Sequence, residues 1–261
     1  MGALNQNKLK KIKLPKQYEY IEGITNPKYK QYDGWEKVSY SQINSFESPE
    51  YRGQYIASYF AGIPDAGNIF STFGSMCGNY LDTSNQVQDP YLDEEDLKTL
   101  DEVIRNHPKD SLFEYEIVIS LEPFGLERTC LQAFVDRLSI EKGVTSVVDF
   151  KTGGENKIDY YTSDAYEQLD IYCYGLEHLG YDNLAPQVIL LSRKGNQLDK
   201  SALHFNGKTP MGLRLNGDVF NLPREYSKER SEQILQRVAQ TCVQISDYLK
   251  IFKKYLVENN D

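Results

Sequence analysis

Two charged residues interrupt an apolar segment, VVDFKTGG, at residues 147–154. β-Branched residues precede the pair and a Thr-Gly turn signal follows it, so the segment is predicted to be a strand. Because residues i and i+2 of a strand point to one face, Asp149 and Lys151 are expected to lie side by side. The spacing alone is uninformative, since it recurs at Asp96 and Lys98 inside a predicted helix. Unpartnered buried charges are costly, so the pair is either an ion pair at a strand end or part of a site.

A second acidic residue, Asp136, interrupts the apolar alternation of LQAFVDRLSI. A hairpin of this length brings Asp136 and Asp149 together at one end of a sheet. Paired carboxylates bind Mg²⁺ or Mn²⁺, which lower the pKa of a bound water and neutralise charge on a phosphate. A lysine beside them can orient that water and stabilise developing negative charge. A structural salt bridge of Lys151 with either aspartate explains these residues equally well.

Hydrophobic periodicity predicts the elements that position these residues. The N-terminal half is predicted to be helical: a helix capped at Ser41 and broken near Pro49, then helices within 67–84 and 91–108. Three β-rich segments follow at 113–121, 128–140 and 144–152. After them come a helix at 165–181, an apolar strand at 187–193 and a long C-terminal helix from about residue 227. A strand, helix, strand order after a meander implies a crossover. We therefore expect an α/β (α+β) fold with a central mixed β-sheet of four or five strands flanked by helices.

The run FVDRLSIEKGVTSVVDFKTGG, followed by YEQLDIYCYGL, resembles the RecB-type nuclease domain of the PD-(D/E)xK superfamily, which also includes CRISPR-associated and many phage-encoded exonucleases. The resemblance implies a restriction-endonuclease-like core and a metal-dependent cleavage site. It assigns metal binding to Asp136 and Asp149 and orientation of the attacking water to Lys151. Gln168 and Tyr172 are four residues apart, share a helix face and would position the substrate.

The resemblance also implies further metal ligands. The main-chain carbonyl of Phe150 is one. The family carries a His or Glu where this chain has Gly78, and Asp82 or Glu116 could take its place. The four cysteines do not fit the pattern that holds an iron-sulfur cluster in some relatives, so no cluster is expected.

Composition limits the choice of partners. The formal net charge of −9 argues against a protein that coats nucleic acid through bulk electrostatics, but not against local contacts with DNA. No segment approaches the length needed to span a membrane, so we expect a cytoplasmic protein of a bacterial cell, with a phage-encoded origin as one option. A homo-oligomer or a recombination partner protein is compatible with the family.

The predicted organisation is an irregular N-terminal arm over residues 1–38 and a single nuclease domain over 39–261. The domain divides into a helical part at about 39–110, a catalytic core at about 111–195, and a C-terminal strand and long helix at about 196–257. The expected function is that of an Mg²⁺- or Mn²⁺-dependent deoxyribonuclease, and an exonuclease is favoured over an endonuclease. The expected substrate is linear single- or double-stranded DNA in recombination, repair or phage DNA processing. The alternative is a catalytically impaired nuclease fold that binds DNA or a protein partner.

Overall fold

The computed structural model of the protein describes residues 27–60, 69–82, 91–194 and 212–258. Within these ranges the chain forms seven α-helices: α1 (Tyr40–Glu47), α2 (Arg52–Tyr55, continued by a π-helical turn over Ile56–Phe60), α3 (Ile69–Leu81), α4 (Glu94–Arg105), α5 (Ile158–Thr162), α6 (Gln168–His178) and α7 (Lys228–Glu258). It also forms six strands: β1 (Glu36–Ser39), β2 (Leu112–Ser120), β3 (Thr129–Glu141), β4 (Val144–Gly153), β5 (Leu184–Lys194) and β6 (Arg214–Pro223).

The six strands form one mixed sheet in the order β1-β3-β4-β5-β6, and β2 pairs with β3 beside that path. β3 and β4 are antiparallel, β4 and β5 are parallel, and β5 and β6 are antiparallel. The expected α+β class with a central mixed sheet is therefore confirmed. The sheet has one strand more than the four or five expected, because β1 buries only Val38 among its four residues and so shows no readable period.

Of the predicted N-terminal arm, the structure describes residues 27–38 and residues 1–26 lie outside it. The described part forms a short 3₁₀ helix at Pro27–Tyr32 and most of β1. Helix α1 begins at a different cap from the expected one. Ser39, not Ser41, is its N-cap, because only Ser39 has a glutamine three residues later. The Gln42 N–H donates to Ser39 Oγ while the Ser39 N–H donates to Gln42 Oε1, which forms a capping box.

The β3–β4 hairpin turns over two residues, Lys142 and Gly143, both with positive φ. This conformation belongs to the two-residue turns whose twist matches that of the flanking strands, and glycine adopts it without steric cost. The turn fixes the register, which runs from Glu141 opposite Val144 to Arg137 opposite Val148. The position of every side chain along both strands follows from it.

Contacts within the chain define two compact units, each built from separate segments. The first comprises residues up to 66, 118–133 and those from 229 onward. In it the ring of Phe46 lies 5.5 Å from both Tyr55 and Tyr248, in edge-to-face contacts. Helix α7 buries a stripe at the spacing of threes and fours that the sequence predicts, including Ile234, Val238, Ile245 and Leu249.

The second unit comprises residues 67–117 and 134–228, and it contains Asp136, Asp149, Lys151, Gln168 and Tyr172. The predicted apolar face of α3 is buried at all four positions, Ile69, Phe73, Met76 and Leu81, against α4 and the β5 and β6 side chains of one core cluster. α6 is buried from Leu169 through Leu176, which fits a crossover helix packed on the parallel pair β4 and β5. Among the residues described, no helix combines the length and the apolar character that crossing a membrane requires.

Candidate active site

The hairpin register brings Asp136 beside the middle of β4. The last paired residues of the register are Arg137 and Val148. Asp136 is the next residue of β3, so it lies beside Asp149 and Phe150. There its Oδ2 accepts a hydrogen bond of 2.7 Å from the Phe150 N–H. The two aspartates are thus held by backbone pairing, which is a rigid support for a site.

Asp149 is fully buried and contacts both Lys151 and Tyr166. Its Oδ2 accepts from the Tyr166 hydroxyl at 2.6 Å and lies 2.6 Å from Lys151 Nζ. Its other oxygen, Oδ1, is buried and has no hydrogen-bond partner in the part of the chain that the structure describes. A buried carboxylate oxygen without a partner costs free energy, so Oδ1 is an available ligand position.

The charges of the site shift one another's protonation. Burial is the main cause that raises the pKa of Asp136 to about 7, and the nearby charge of Asp149 adds to it, while Lys151 opposes it. Burial disfavours the charged form of Lys151, but the carboxylates of Asp149 and Asp136 outweigh it and raise its pKa. Lys151 therefore stays a cation at neutral pH, and the aspartates form a like-charge pair that a bound cation would relieve.

Gln168 and Tyr172 lie one turn apart on α6, as their spacing predicts, and Gln168 Nε2 donates to the Tyr172 hydroxyl. The Tyr166 hydroxyl lies 3.2 Å from Gln168 Oε1. These bonds join Tyr172 and Gln168 to Asp149 through Tyr166. Burial, followed by the charge of Asp149, raises the pKa of Tyr166 and Tyr172 well above the usual value, so both phenols remain protonated.

Tyr166 contacts Asp149 in the candidate site, and sequence reasoning misses it. It is one of three tyrosines in YYTSDAY, two residues before Gln168, and nothing in the spacing distinguishes it from the others. The available signal is its place just before α6, on the segment that returns from β4 to the sheet. The structure distinguishes it by burial, since 5% of its surface is exposed while Tyr160 keeps 42%.

A cavity of about 540 Å³ opens within the second unit. Its lining includes Gly74, Gly78 and Asp82 from α3 and the residue after it, Glu114 from β2, and Asp136 and Lys151 from the hairpin strands. Asp149, Gln168 and Tyr172 are not part of this lining. Gly78, where the family carries His or Glu, faces open space, since a Cβ there would meet no atom within 4 Å.

Of the two substitute ligands that the sequence suggests, the structure places Asp82 in the cavity wall and Glu116 outside it. Glu114 takes that place in the wall. The φ of Glu114 is 46°, which lies outside the strand region. The regular alternation of side chains along β2 therefore does not predict the direction of this one. Partial desolvation, followed by the charges of Asp82 and Asp149, raises the pKa of Glu114.

Asp136 and Asp149 fit a small divalent cation. Mg²⁺ is commonly held by one or two carboxylates, with waters and substrate phosphates as the other ligands. Asp149 Oδ1 is free to serve, and the mutual repulsion of the two carboxylates favours a cation beside them. Among the described residues no three His, Cys, Asp or Glu side chains are close enough to hold a metal ion by themselves. The Phe150 carbonyl stays a predicted ligand.

Comparison with known proteins adds to this geometry. The structure is similar to a crystal structure named "Putative exonuclease" from Eubacterium rectale, with a TM-score of 0.49 and 14% sequence identity over 82% of this chain and 81% of that chain. No curated protein matches the sequence. A family model described as the PD-(D/E)XK nuclease superfamily matches residues 78–254, which include the β3–β4 hairpin and α6. Since this match covers more than half of the chain, the protein belongs to the PD-(D/E)XK nuclease superfamily.

Proposed function

We propose that the protein is a DNA exonuclease that hydrolyses phosphodiester bonds with a bound Mg²⁺ or Mn²⁺. The observation that carries the proposal is the state of Asp149. This buried carboxylate engages Lys151 and Tyr166 with one oxygen, while its other oxygen has no partner among the described residues.

The proposed mechanism gives each side chain one task. Asp136 and Asp149 hold the cation, which when bound lowers the pKa of a water and neutralises charge on the phosphate. Lys151 is fixed by Asp149 at 2.6 Å and presents its remaining N–H groups to the attacking water or a phosphate oxygen. Tyr166 fixes the orientation of the Asp149 carboxylate. Gln168 and Tyr172 hold Tyr166 in place rather than reaching the substrate themselves.

The substrate and the setting rest on the family and on charge. A net charge of −9 suits an enzyme that grips DNA locally at its site. Exonuclease action on linear single- or double-stranded DNA in recombination, repair or phage DNA processing is proposed because the chain resembles RecB-type nucleases, whose relatives include CRISPR-associated and phage-encoded exonucleases. A homo-oligomer or a recombination partner protein, in the cytoplasm of a bacterial cell, belongs to the same proposal.

The test is release of labelled nucleotides from linear single- and double-stranded DNA with Mg²⁺, Mn²⁺ or a chelator. Lys151→Ala should reduce the rate by at least about a hundredfold, because the charge beside the reacting phosphate is lost. Lys98→Ala, which removes an exposed lysine of α4, should leave the rate unchanged. A closed circular substrate separates the two modes, since an exonuclease leaves it intact.

Gly78 favours a second candidate, a nuclease fold that binds DNA or a protein partner without cutting. A side chain that supplies a metal ligand in the family is missing here, and the space beside Gly78 is open. Binding of DNA without cleavage under either metal, by a protein that is folded, would support this candidate and overturn the proposed enzyme.

A further inference from the structure

Arg193 lies at the same end of the sheet as Lys151. The parallel pairing of β4 and β5 ends with Gly153 opposite Ser192, and Arg193 is the next residue of β5. An irregularity of the β5–β6 register falls between Leu191 and Arg193. Such irregularities often change the direction of side chains next to active sites. In open sheets, ligands bind beyond the carboxyl ends of parallel strands.

An aromatic ring fixes the Arg193 guanidinium. Its Cζ lies 4.0 Å from the centroid of the Phe70 ring, which is the shortest of the cation–π distances recorded among the described residues. Phe70 belongs to α3 and lines the cavity together with Asp136 and Lys151. A stacked guanidinium keeps its plane and presents its N–H groups in a fixed fork.

Two donors of the Arg193 side chain lack an acceptor among the described residues. Nε and Nη1 are buried and have no hydrogen-bond partner there. Two other arginines of this unit contact carboxylates instead, since Arg224 lies within 3.5 Å of Asp164 and Asp170, and Arg214 lies 2.5 Å from Asp93. Leaving buried N–H groups of a half-buried cation without an acceptor is costly, which favours an anion that arrives from outside.

The surroundings fit an anion. Burial lowers the pKa of Arg193, and the group that opposes this is the phenol of Tyr161 rather than a carboxylate. The charges of Lys151 and Arg193 both act to lower the pKa of the Tyr161 phenol, so this side chain lies near both cations. Arg193 nevertheless remains charged at neutral pH, as guanidinium groups in proteins do.

We propose that Arg193, stacked on Phe70, binds a phosphate of the substrate strand next to the phosphate that is attacked. The inference rests on the proposed function and adds a substrate contact to it. A planar guanidinium carries paired N–H groups that match two phosphate oxygens, a geometry that a lysine cannot reproduce. Arg193 is in this sense a positioning residue for the strand, while the cleavage chemistry stays with the hairpin.

The first test measures binding without cleavage. Anisotropy of a labelled single-stranded oligonucleotide, and of its duplex, is recorded with the full chain in chelator. Arg193→Gln should weaken binding about tenfold, since one charge-assisted contact is lost. It should also reduce the slope of log affinity against log salt by about one phosphate contact. Arg193→Lys should keep the slope and regain only part of the affinity, because it restores the charge without the fork.

The second test locates the contact. Neutral methylphosphonate linkages replace the phosphates one at a time. For the unmodified protein, one position beside the cleavage site should weaken binding as much as Arg193→Gln does. For Arg193→Gln the same replacement should have no further effect. A loss that is equal at every position would overturn the proposal.

A control variant and the cleavage assay separate a failure of the Arg193 contact from a failure of the proposed nuclease function. Arg105→Gln removes the same charge from an exposed position at the end of α4 and should leave binding unchanged, and thermal unfolding verifies that each variant is folded. If the unmodified protein cleaves DNA and Arg193→Gln binds it equally well, the Arg193 contact is wrong and the nuclease stands. If the unmodified protein neither binds nor cleaves DNA, both proposals are overturned.

Discussion

Asp149 shows how one side chain can satisfy structure and chemistry together. One of its oxygens is committed to Lys151 and Tyr166 at 2.6 Å each, which fixes the rotation of the carboxylate. That rotation determines where Oδ1 points. In the proposed metal site, the position of this ligand atom would therefore depend on Tyr166, a residue that orients the ligand without binding the metal.

Replacing Tyr166 by Phe tests this dependence. The ring stays, with its edge-to-face contacts to Tyr160 and Tyr161 at 5.6 and 5.1 Å, while the hydroxyl that orients Asp149 is lost. The metal concentration for half-maximal cleavage should rise by about ten- to a hundredfold, the usual cost of losing such a partner. Tyr160→Phe is the matched control, because Tyr160 is exposed and the same atom is removed. An unchanged metal requirement in Tyr166→Phe would contradict the orienting role.

Asp136 should make the stability of the metal-free protein depend on pH. Folding raises the pKa of Asp136 from its ordinary value of 3.8 to about 7, so the native state keeps a proton that the unfolded chain loses. The resulting stabilisation is full below about pH 4 and disappears as pH rises through about 7. We expect Asp136→Asn to gain stability relative to the unmodified protein between pH 4.5 and 8 in chelator, measured by urea unfolding. A stability difference that is constant across this range would contradict the raised pKa.

At this scale the sequence proposes five site residues, which stay predictions. Asp136, Asp149 and Lys151 are visible because their charges interrupt apolar strand segments, whereas Gln168 and Tyr172 are implied only by the family resemblance. Tyr166 and Glu114 are not visible, for different reasons. Tyr166 is singled out only by burial, and Glu114 reaches the cavity wall only because its backbone leaves the strand region at φ 46°.

Among the elements, α4 shows what an acid-x-lysine spacing means away from a site. Asp96 is fully buried, and its Oδ1 accepts from the Leu215 N–H of β6 at 2.7 Å. Its Oδ2 accepts from the Asp93 N–H at 3.1 Å and completes a capping box. The Asp96 carboxylate therefore connects the N-terminus of α4 to strand β6 through hydrogen bonds.

Asp96→Ala should therefore lower the free energy of unfolding by roughly 2–3 kcal/mol, since the buried Leu215 N–H loses its acceptor. Asp96→Asn keeps one acceptor oxygen and should cost clearly less. Chemical denaturation of the two variants provides the measurement. Equal losses would mean that the Leu215 bond is not the source of the effect.

Two glycines of α3 should respond oppositely to alanine. Gly78→Ala meets no atom and should stabilise the protein by about 0.5–1 kcal/mol, the ordinary difference between the two residues in a helix. At Gly74 the added Cβ would lie 3.1 Å from Thr152 Oγ1 of β4, which is a tight contact, so the Thr152 side chain would have to move by a few tenths of an ångström. We expect Gly74→Ala to lower the midpoint of thermal unfolding while Gly78→Ala raises it. A gain in both would show that α3 does not pack closely on β4.

The elements were predictable where the pattern is strong. The four apolar positions of α3, the hairpin strands and the stripe of α7 follow periods that burial enforces. β1 was missed because four residues hold too few side chains to show a period, and the α1 cap moved from Ser41 to Ser39 because the partner glutamine decides the cap.

For the whole molecule, the cysteines give a probe of both units. All four are buried and none forms a disulfide with another described residue; Cys130 and Cys242 lie in the first unit, and Cys77 and Cys173 lie in the second. Burial is the main cause that raises the pKa of Cys77 and of Cys242 to about 12. Since the thiolate is the reactive form, the native thiols should be inert.

A disulfide reagent added at neutral pH should modify no thiol rapidly in the native protein and all four in denaturant. Absorbance of the released chromophore counts them. Rapid modification of one or more thiols without denaturant would contradict the buried, protonated state. The sequence shows only that the four cysteines do not fit an iron-sulfur pattern, because their burial depends on the completed fold.

The segmented construction of the two units has a consequence for synthesis on the ribosome. The last residue of the second unit is 228, whereas the first unit requires everything from 229 onward, which is nearly all of α7. Translation therefore completes the unit that holds the hairpin before it completes the unit in which the chain starts. Until α7 emerges, the N-terminal segments lack the helix that carries Ile234, Val238 and Ile245. Nascent chains arrested near residue 228 should accordingly expose the apolar side chains of α1 and α2 to chaperones.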